Sequence, residues 1–551
     1  LGSDQPALAG SLALQIGYLL RKRSTTLPEV IRALREAIQF AAEADDPVMA
    51  GVARCQLGYA LPALSEWEAI TELRAGVATL EAVPVEAWER TAAPRDGVMV
   101  ASLADARMLL AWSLSGVAPC TEALALLGGT LDVPLETLTY YGLLTVYQLA
   151  TTLGQPEIAR QAHQRLRQNL RAPEDAWVLA TTLSGHFNRS VLVYSVDDPV
   201  LITEELGALR RAWSLAEELQ FVDPVPLDAL QFQLELVRGD WAAAEAHARI
   251  VRALPPISFA GLTLATIAWL RGDRDAAWEE LRRWLPDGAA HEPRAIHEKG
   301  EYNILPVLRF LKLGGHLQLD AGDVERARSW AEASDRWLAW SGAVLGQAEN
   351  ALLWARFHEL SDNSMLARKF ANQALAHATD PRQPLALVAV HRFLGRLDTI
   401  DKRVADAEAH LHESLELADA CAAPFERALT LLELAALRLS QRRIDEAMAP
   451  LADVQAICQP LEARPILERV EALRQQISLL PARAPAYPAG LTQREVEVLR
   501  LVAEGMTDSE VAERLFVSRR TVTSHLTNVF NKLEVSNRAA AVAVAAQHGL
   551  L

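Results

Sequence analysis

The side chains best suited to chemistry with a partner lie near the C-terminus. Between Ser518 and Arg538 the chain carries Arg519, Arg520, Thr521, Thr523, Ser524, Thr527, Asn531 and Lys532, which are cations and short hydrogen-bonding groups with few apolar interruptions. Interleaved with them, Val522, Leu526, Val529 and Leu533 recur at steps of four, three and four, the spacing of one helix face. The two sets occupy opposite sides of a single helix, so one side can be buried while the other stays bare. A bare helical edge of small polar groups matches the major groove of duplex DNA, whose base edges offer donors, acceptors and thymine methyls. On this reading Arg520, Thr523, Ser524 and Thr527 meet base edges. Ser518, Arg519, Thr521, Asn531, Lys532 and Arg538 meet phosphates.

Three further helices are needed to hold that one in place. Thr492 with Glu495 is a capping box, followed by Val496, Leu499, Leu501 and Val502 up to Gly505. Thr507 with Glu510 is a second box, opening a short helix whose Val511, Ala512 and Leu515 face inward and which stops around Phe516-Val517. Ser518 then caps the polar-edged helix. In a helix-turn-helix the second helix of the pair enters the groove N-terminal end first. A fourth helix, Arg538 to Gln547, is rich in Ala and Val, ends at Gly549, and is expected to pack on the others and offer a dimer face. His525, beside Val522 and Val529, is expected to be half-buried rather than to read bases.

The pattern Leu491-Thr492-x-Arg494-Glu495-Val496-x-Val498-Leu499, Gly505, Glu510-Val511-Ala512, Leu515, Ser518-x-x-Thr521-Val522, His525, Asn528, Lys532-Leu533, Arg538 resembles the LuxR/GerE DNA-binding domain along the whole of 491–551. The resemblance implies a transcription regulator that is not an enzyme. It implies binding to double-stranded promoter DNA as a dimer or higher oligomer, with RNA polymerase as a further expected partner. Thr523 and Thr527 depart from the pattern, standing where many members carry basic residues.

Residues 491–551 hold seven acidic and seven basic side chains, so the whole net charge of −16 falls on residues 1–490. A surface so acidic excludes non-specific coating of nucleic acid by the entire chain. The uncharged stretch Ile257 to Leu270 is well short of the roughly 20 apolar residues a membrane span needs. Cys55, Cys120, Cys421 and Cys458 are far apart and no signal peptide opens the chain, which together fit a reducing cytoplasm.

Ala, Leu, Glu and Arg dominate residues 1–480, and strand-like alternation is nearly absent, Val191 to Val196 being its best instance. The motif Gly-Asp-x-x-x-Ala at Gly322 to Ala327 is followed by Ala367, Ala407 and Ala447 at intervals of 40 residues. Related turns occur at Gly154 to Ala159, Gly239 to Ala244 and Gly272 to Ala277. Gly ends one helix, Asp caps the next, and Ala one turn in lets the pair approach closely. Stacked hairpins of this kind form a superhelix. The array resembles the tetratricopeptide family, with ten or eleven units over residues 10 to 478.

The expected fold is therefore all-α: a helical repeat domain (1–480), a Pro/Ala linker (481–490) and a small four-helix DNA-binding domain (491–551). The 50-residue step from Gly272 to Gly322 places an enlarged loop at Pro286 to Glu301, taken as a solvated inter-repeat loop. Its His291-Glu292 and His297-Glu298 are six residues apart, wrong for one helix face, so no metal site is expected. Trp241, Trp278, Trp330 and Trp354 are expected mostly in the core between repeats.

An array ahead of this domain resembles the MalT-like large regulators, in which a nucleotide-binding switch domain precedes the repeats. No phosphate loop occurs in this chain, so no cofactor is expected unless an ATP-binding domain lies upstream of Leu1. Opening on Leu rather than Met, the chain is expected to be a fragment or a processed form. The resemblance implies a small-molecule inducer or protein partner in the repeats. An interaction scaffold is the competing reading, and the absence of a nucleophile elbow or His-Glu-x-x-His leaves an enzyme with little support. Threonine releases no phosphate counterion, so binding should depend weakly on salt and strongly on dimerisation. Gel-shift titrations across a salt series should give a slope equivalent to no more than about five phosphate contacts per domain.

Overall fold

The computed structural model describes residues 5–21, 27–61, 66–91, 100–170, 175–218, 230–252, 258–293, 304–479 and 487–551. Two compact units result, Leu1–Ala472 and Leu473–Leu551. Most of the 481–490 linker, up to residue 486, lies outside the described residues. Among the described residues there is no strand, only an isolated bridge between Thr379 and Arg382. The alternating Val191–Val196 segment begins at the end of a π-helical turn, Phe187–Val191, and runs on through the helix Leu192–Tyr194. No helix among the described residues is long and apolar enough to cross a membrane.

The larger unit is a tetratricopeptide-like array. Among the described residues twenty-four helices precede Arg464; setting aside the short Val85–Arg90 and Leu192–Tyr194 leaves twenty-two, which pair consecutively into eleven hairpins. The 40-residue period is clearest in the second half. Ile304–Asp320 pairs with Val324–Ser341, Gln347–Leu360 with Ser364–Thr379, Pro384–Ile400 with Val404–Ala420, and Pro424–Ser440 with Ile444–Leu461. Ala327, Ala367, Ala407 and Ala447 are all buried at the crossing of their two helices. Each turn needs one left-handed residue, with φ of 76° at Gly322, 56° at Asp362, 61° at Lys402 and 59° at Arg442. The turn is thus kept where its glycine is not. Asp323 and Asn363 cap the helices that follow, whereas Arg403 and Arg443 supply no side-chain cap.

Repeats of a simple solenoid touch only their neighbours. Here successive turns of the superhelix also touch each other. Ile304 N donates to Gly116 O at 2.9 Å and Val344 N to Thr152 O at 3.0 Å. Arg382 pairs with Asp197 at 2.6 Å, Trp241 packs edge-on to Phe425 at 4.8 Å, and Arg464 Nε donates to Arg271 O at 2.9 Å. These partners stand 184 to 193 positions apart, just under five 40-residue hairpins. They define a seam along which one coil rests on the next.

The first part of the enlarged loop is not solvated as expected. His291 is buried and stacks on Trp337 at 5.4 Å, its carbonyl accepting from Trp337 Nε1 at 3.1 Å, while Glu292 pairs with Arg336 at 3.4 Å. His297 and Glu298 lie outside the described residues. Trp241 and Trp330 are buried; Trp278 and Trp354 are half-exposed at the edges of their hairpins. All four cysteines are buried free thiols, and burial pushes Cys55 and Cys421 up to about 12. None is a thiolate available to react.

Two glycines with the same backbone conformation separate turn strain from seam packing. A Cβ on Gly154 (φ 71°) would sit 2.8 Å from Pro381 and 3.0 Å from Val344 across the seam, while one on Gly322 (φ 76°) would meet nothing within 4 Å. Gly322→Ala should cost about 1 kcal/mol of left-handed strain. Gly154→Ala should cost about 1–3 kcal/mol more from overpacking. Thermal unfolding of the two variants would compare them, and equal losses would mean that the seam yields freely.

Candidate nucleic-acid interface

The C-terminal unit is built from caps outward. Thr492 accepts from the Glu495 amide while Glu495 accepts from the Thr492 amide, opening the helix Gln493–Ala503. Thr507 and Glu510 repeat this reciprocal pair at Asp508–Arg514. Ser518 accepts from Thr521 N at 3.1 Å and opens Arg519–Lys532; Asn537 does the same for Arg538–Gln547. Between the second and third helices the chain turns through Phe516, left-handed at φ 55°.

Two apolar clusters hold the third helix at both ends. Val522 and Leu526 pack with Val498, Val502, Val511 and Ala512. Val529 and Leu533 pack with Leu491, Val496, Leu499, Ala541 and Ala545. Polar ties then fix the frame. Lys532 Nζ reaches Glu495 at 2.7 Å, Arg494 donates to Leu515 O at 2.8 Å, Arg500 to Leu550 O at 2.7 Å, and Arg538 binds Asp508 at 3.0 Å together with the Met506 carbonyl. Burial alone would raise the Glu495 carboxyl, but the Lys532 ammonium and the Thr492 amide and hydroxyl hold it below the ordinary glutamate value.

On the opposite face Ser518, Arg519, Arg520, Thr523, Ser524, Thr527 and Asn531 are all exposed; Thr521 and His525 are half-buried. Thr523 Oγ1 donates to Arg519 O at 3.1 Å and lies 3.3 Å from Asp508 Oδ2, while Thr527 Oγ1 donates to Thr523 O at 2.9 Å. Of the seven basic residues, Arg494, Arg500, Lys532 and Arg538 are tied within the unit. Arg514, Arg519 and Arg520 have no ion-pair partner among the described residues and flank the turn entering the third helix.

Residues 489–545 match the family described as bacterial regulatory proteins, luxR family. The C-terminal unit carries a LuxR-family domain. The LuxR-type domain is similar to transcriptional regulatory protein LiaR of Bacillus subtilis, 46% identical over 61 residues, which is 11% of this chain and 29% of that protein. It is also similar to response regulator protein VraR of Staphylococcus aureus, 38% identical over 81 residues, 15% of this chain and 38% of that one. The chain therefore spans about a third of the length of these relatives. Among solved structures, the Rap protein complexed with competence and sporulation factor covers 63% of this chain and 99% of its own at 10% identity and TM-score 0.37. The human IFIT1 dimer with PPP-AAAA covers 86% and 95% at 14% identity and TM-score 0.33.

A second polar cluster, distant in sequence, escaped the reading of the chain. His163, His186 and Glu205 come from three different helices of the larger unit, are all buried, and bring one ligand atom each within 4.8 Å of the others. Their spacings of 23 and 19 residues match no local motif, and only the hairpin geometry unites them.

The depressed Glu495 gives the LuxR-type domain a defined acid sensitivity. Its contribution to stability is complete above the ordinary value of 4.5 and is lost as pH falls through the lower folded value. Glu495→Gln should lower the stability of the domain at pH 7 and flatten that part of its acid-unfolding profile, followed by amide signals of the domain. An unchanged profile would show that the ion pair is not what acid breaks.

Proposed function

We propose that this chain is a transcription regulator that binds promoter DNA sequence-specifically through its LuxR-type domain. A small-molecule inducer or a protein partner received by the helical repeats controls that binding. The observation that carries the reading is the exposed polar face of Arg519–Lys532 set on a helix anchored at both ends by apolar clusters. A rigid helix with a bare edge can enter the major groove without first unfolding.

The side chains refine what is read. A threonine hydroxyl has one proton, and at Thr523 and Thr527 a backbone carbonyl takes it, leaving an acceptor lone pair and a methyl group for the groove. That combination suits thymine methyls and the amino groups of adenine or cytosine, while Arg520 suits guanine. Ser524 completes the base-facing set. Arg519 and Arg514 lie free for phosphates, with Ser518, Thr521 and Asn531 as neutral donors. Lys532 and Arg538 reach phosphates only by giving up Glu495 and Asp508. The protein works in the cytoplasm, without catalysis of its own, as a dimer through the Ala-rich Arg538–Gln547 helix, and acts on RNA polymerase at the promoter.

Mobility shifts of the full chain against a library of promoter fragments test this. Arg520→Ala should cost about 1–3 kcal/mol and relax preference at one base pair. Thr523→Ala with Thr527→Ala should change the selected sequence. Arg514→Ala should weaken all sequences alike and lower the salt slope by about one. If no fragment is selected, or the threonine variant selects the same sequence, the proposal fails.

A further inference from the structure

His163 lies on the helix Pro156–Asn169, His186 is the last residue of Ala176–His186, and Glu205 lies on Pro199–Glu218. Their relative exposures are 3%, 6% and 7%. Within this cluster His163 Nε2, His186 Nδ1 and Glu205 Oε2 are all buried with no hydrogen-bond partner among the described residues. An unsatisfied buried polar atom is costly, so three in one cluster need an explanation.

The surroundings hold these three groups close together. Glu205 Oε1 is held by Arg167 at 2.7 Å, which orients the carboxylate and leaves Oε2 without a hydrogen-bond partner among the described residues. The imidazoles lie 3.6 Å apart, centre to centre, with the Tyr147 ring against both at 6.0 and 5.6 Å. Immediately after His186 the backbone widens into the π-helical turn Phe187–Val191, a rare device frequent at functional sites. A cavity of about 690 Å³ opens onto the cluster, lined also by Arg160, Ser190, Tyr194 and, from the next coil, Arg382.

We infer that His163, His186 and Glu205 form a binding site for one zinc-class divalent transition-metal ion, with a fourth coordination position open to the cavity. Two imidazoles and one carboxylate form a donor set suited to such an ion, and an open position leaves room for water or a further ligand. The site bridges three hairpin helices beside the Arg382–Asp197 contact of the seam, so an ion there fastens the first coil close to where the second rests on it. This inference is independent of DNA reading by the other unit.

Cobalt(II) is the probe, because its visible absorption reports coordination by nitrogen and oxygen ligands. The full chain, stripped with a chelator and dialysed, should take up one equivalent with a visible band characteristic of four- or five-coordination, be displaced by zinc, and melt at a higher temperature with zinc than without. His186→Gln and Glu205→Gln should each weaken binding by about tenfold or more and abolish the band, with unchanged helical circular dichroism. Glu205→Gln preserves shape, so it serves even if the histidine variant misfolds. Failure of the parent chain to bind one equivalent, or equal uptake and an equal band in Glu205→Gln, overturns the site.

Discussion

The LuxR-type domain depends on a single buried carboxylate. Glu495 accepts the Thr492 amide at 2.8 Å, closing the first helix, and the Lys532 ammonium at 2.7 Å, closing the third. Taking the Lys532 ammonium away leaves a charge inside the domain without its counter-charge, which is far more damaging than never having placed it there. The helix with the polar edge is thereby locked to the first helix at its C-terminal end, and Arg494, bound to the Leu515 carbonyl, steadies the turn that feeds its N-terminal end. The rigidity consumes cations. Four of the seven basic side chains of 491–551 hold the frame, and the remaining three flank the turn between the second and third helices.

Much of this domain was legible in the sequence because its rules are local. A capping box spans three residues and an apolar stripe repeats within a turn, so the four helices, the caps of the first three and the buried quartet Val522, Leu526, Val529 and Leu533 could be read from spacing, whereas the Asn537 cap of the fourth was missed. What spacing could not give was the pairing of Lys532 with Glu495, 37 residues away, or of Arg538 with Asp508, 30 away. Both lysine and arginine looked available for phosphates because their partners become neighbours only after the helices pack.

The array divides in the same way. Its 40-residue period was visible through Ala327, Ala367, Ala407 and Ala447, since only a small side chain fits where two helices cross. The turns themselves were visible only where glycine marks them; Asp362, Lys402 and Arg442 adopt the left-handed conformation without any such mark, at a cost the packed helices on either side impose. His291 looked solvated because it sits in a polar loop, yet Trp337 of the following hairpin offers it a flat apolar surface. The cluster of His163, His186 and Glu205 left no trace in the sequence, because three helices each supply one residue.

The seam changes what kind of object a repeat protein is. Arrays whose units meet only their neighbours can lengthen or shorten by whole units, and evolution commonly exploits this. Here the contacts from Gly116–Ile304 to Arg271–Arg464 all run between positions a nearly fixed number of residues apart. Duplicating or deleting one hairpin inside a coil would displace every contact that spans it by 40 residues at once, bringing Thr152 opposite the wrong turn and Asp197 opposite no arginine. The number of hairpins per coil is consequently fixed by these contacts, and a whole hairpin can be added or removed without displacing them only outside the stretch they span.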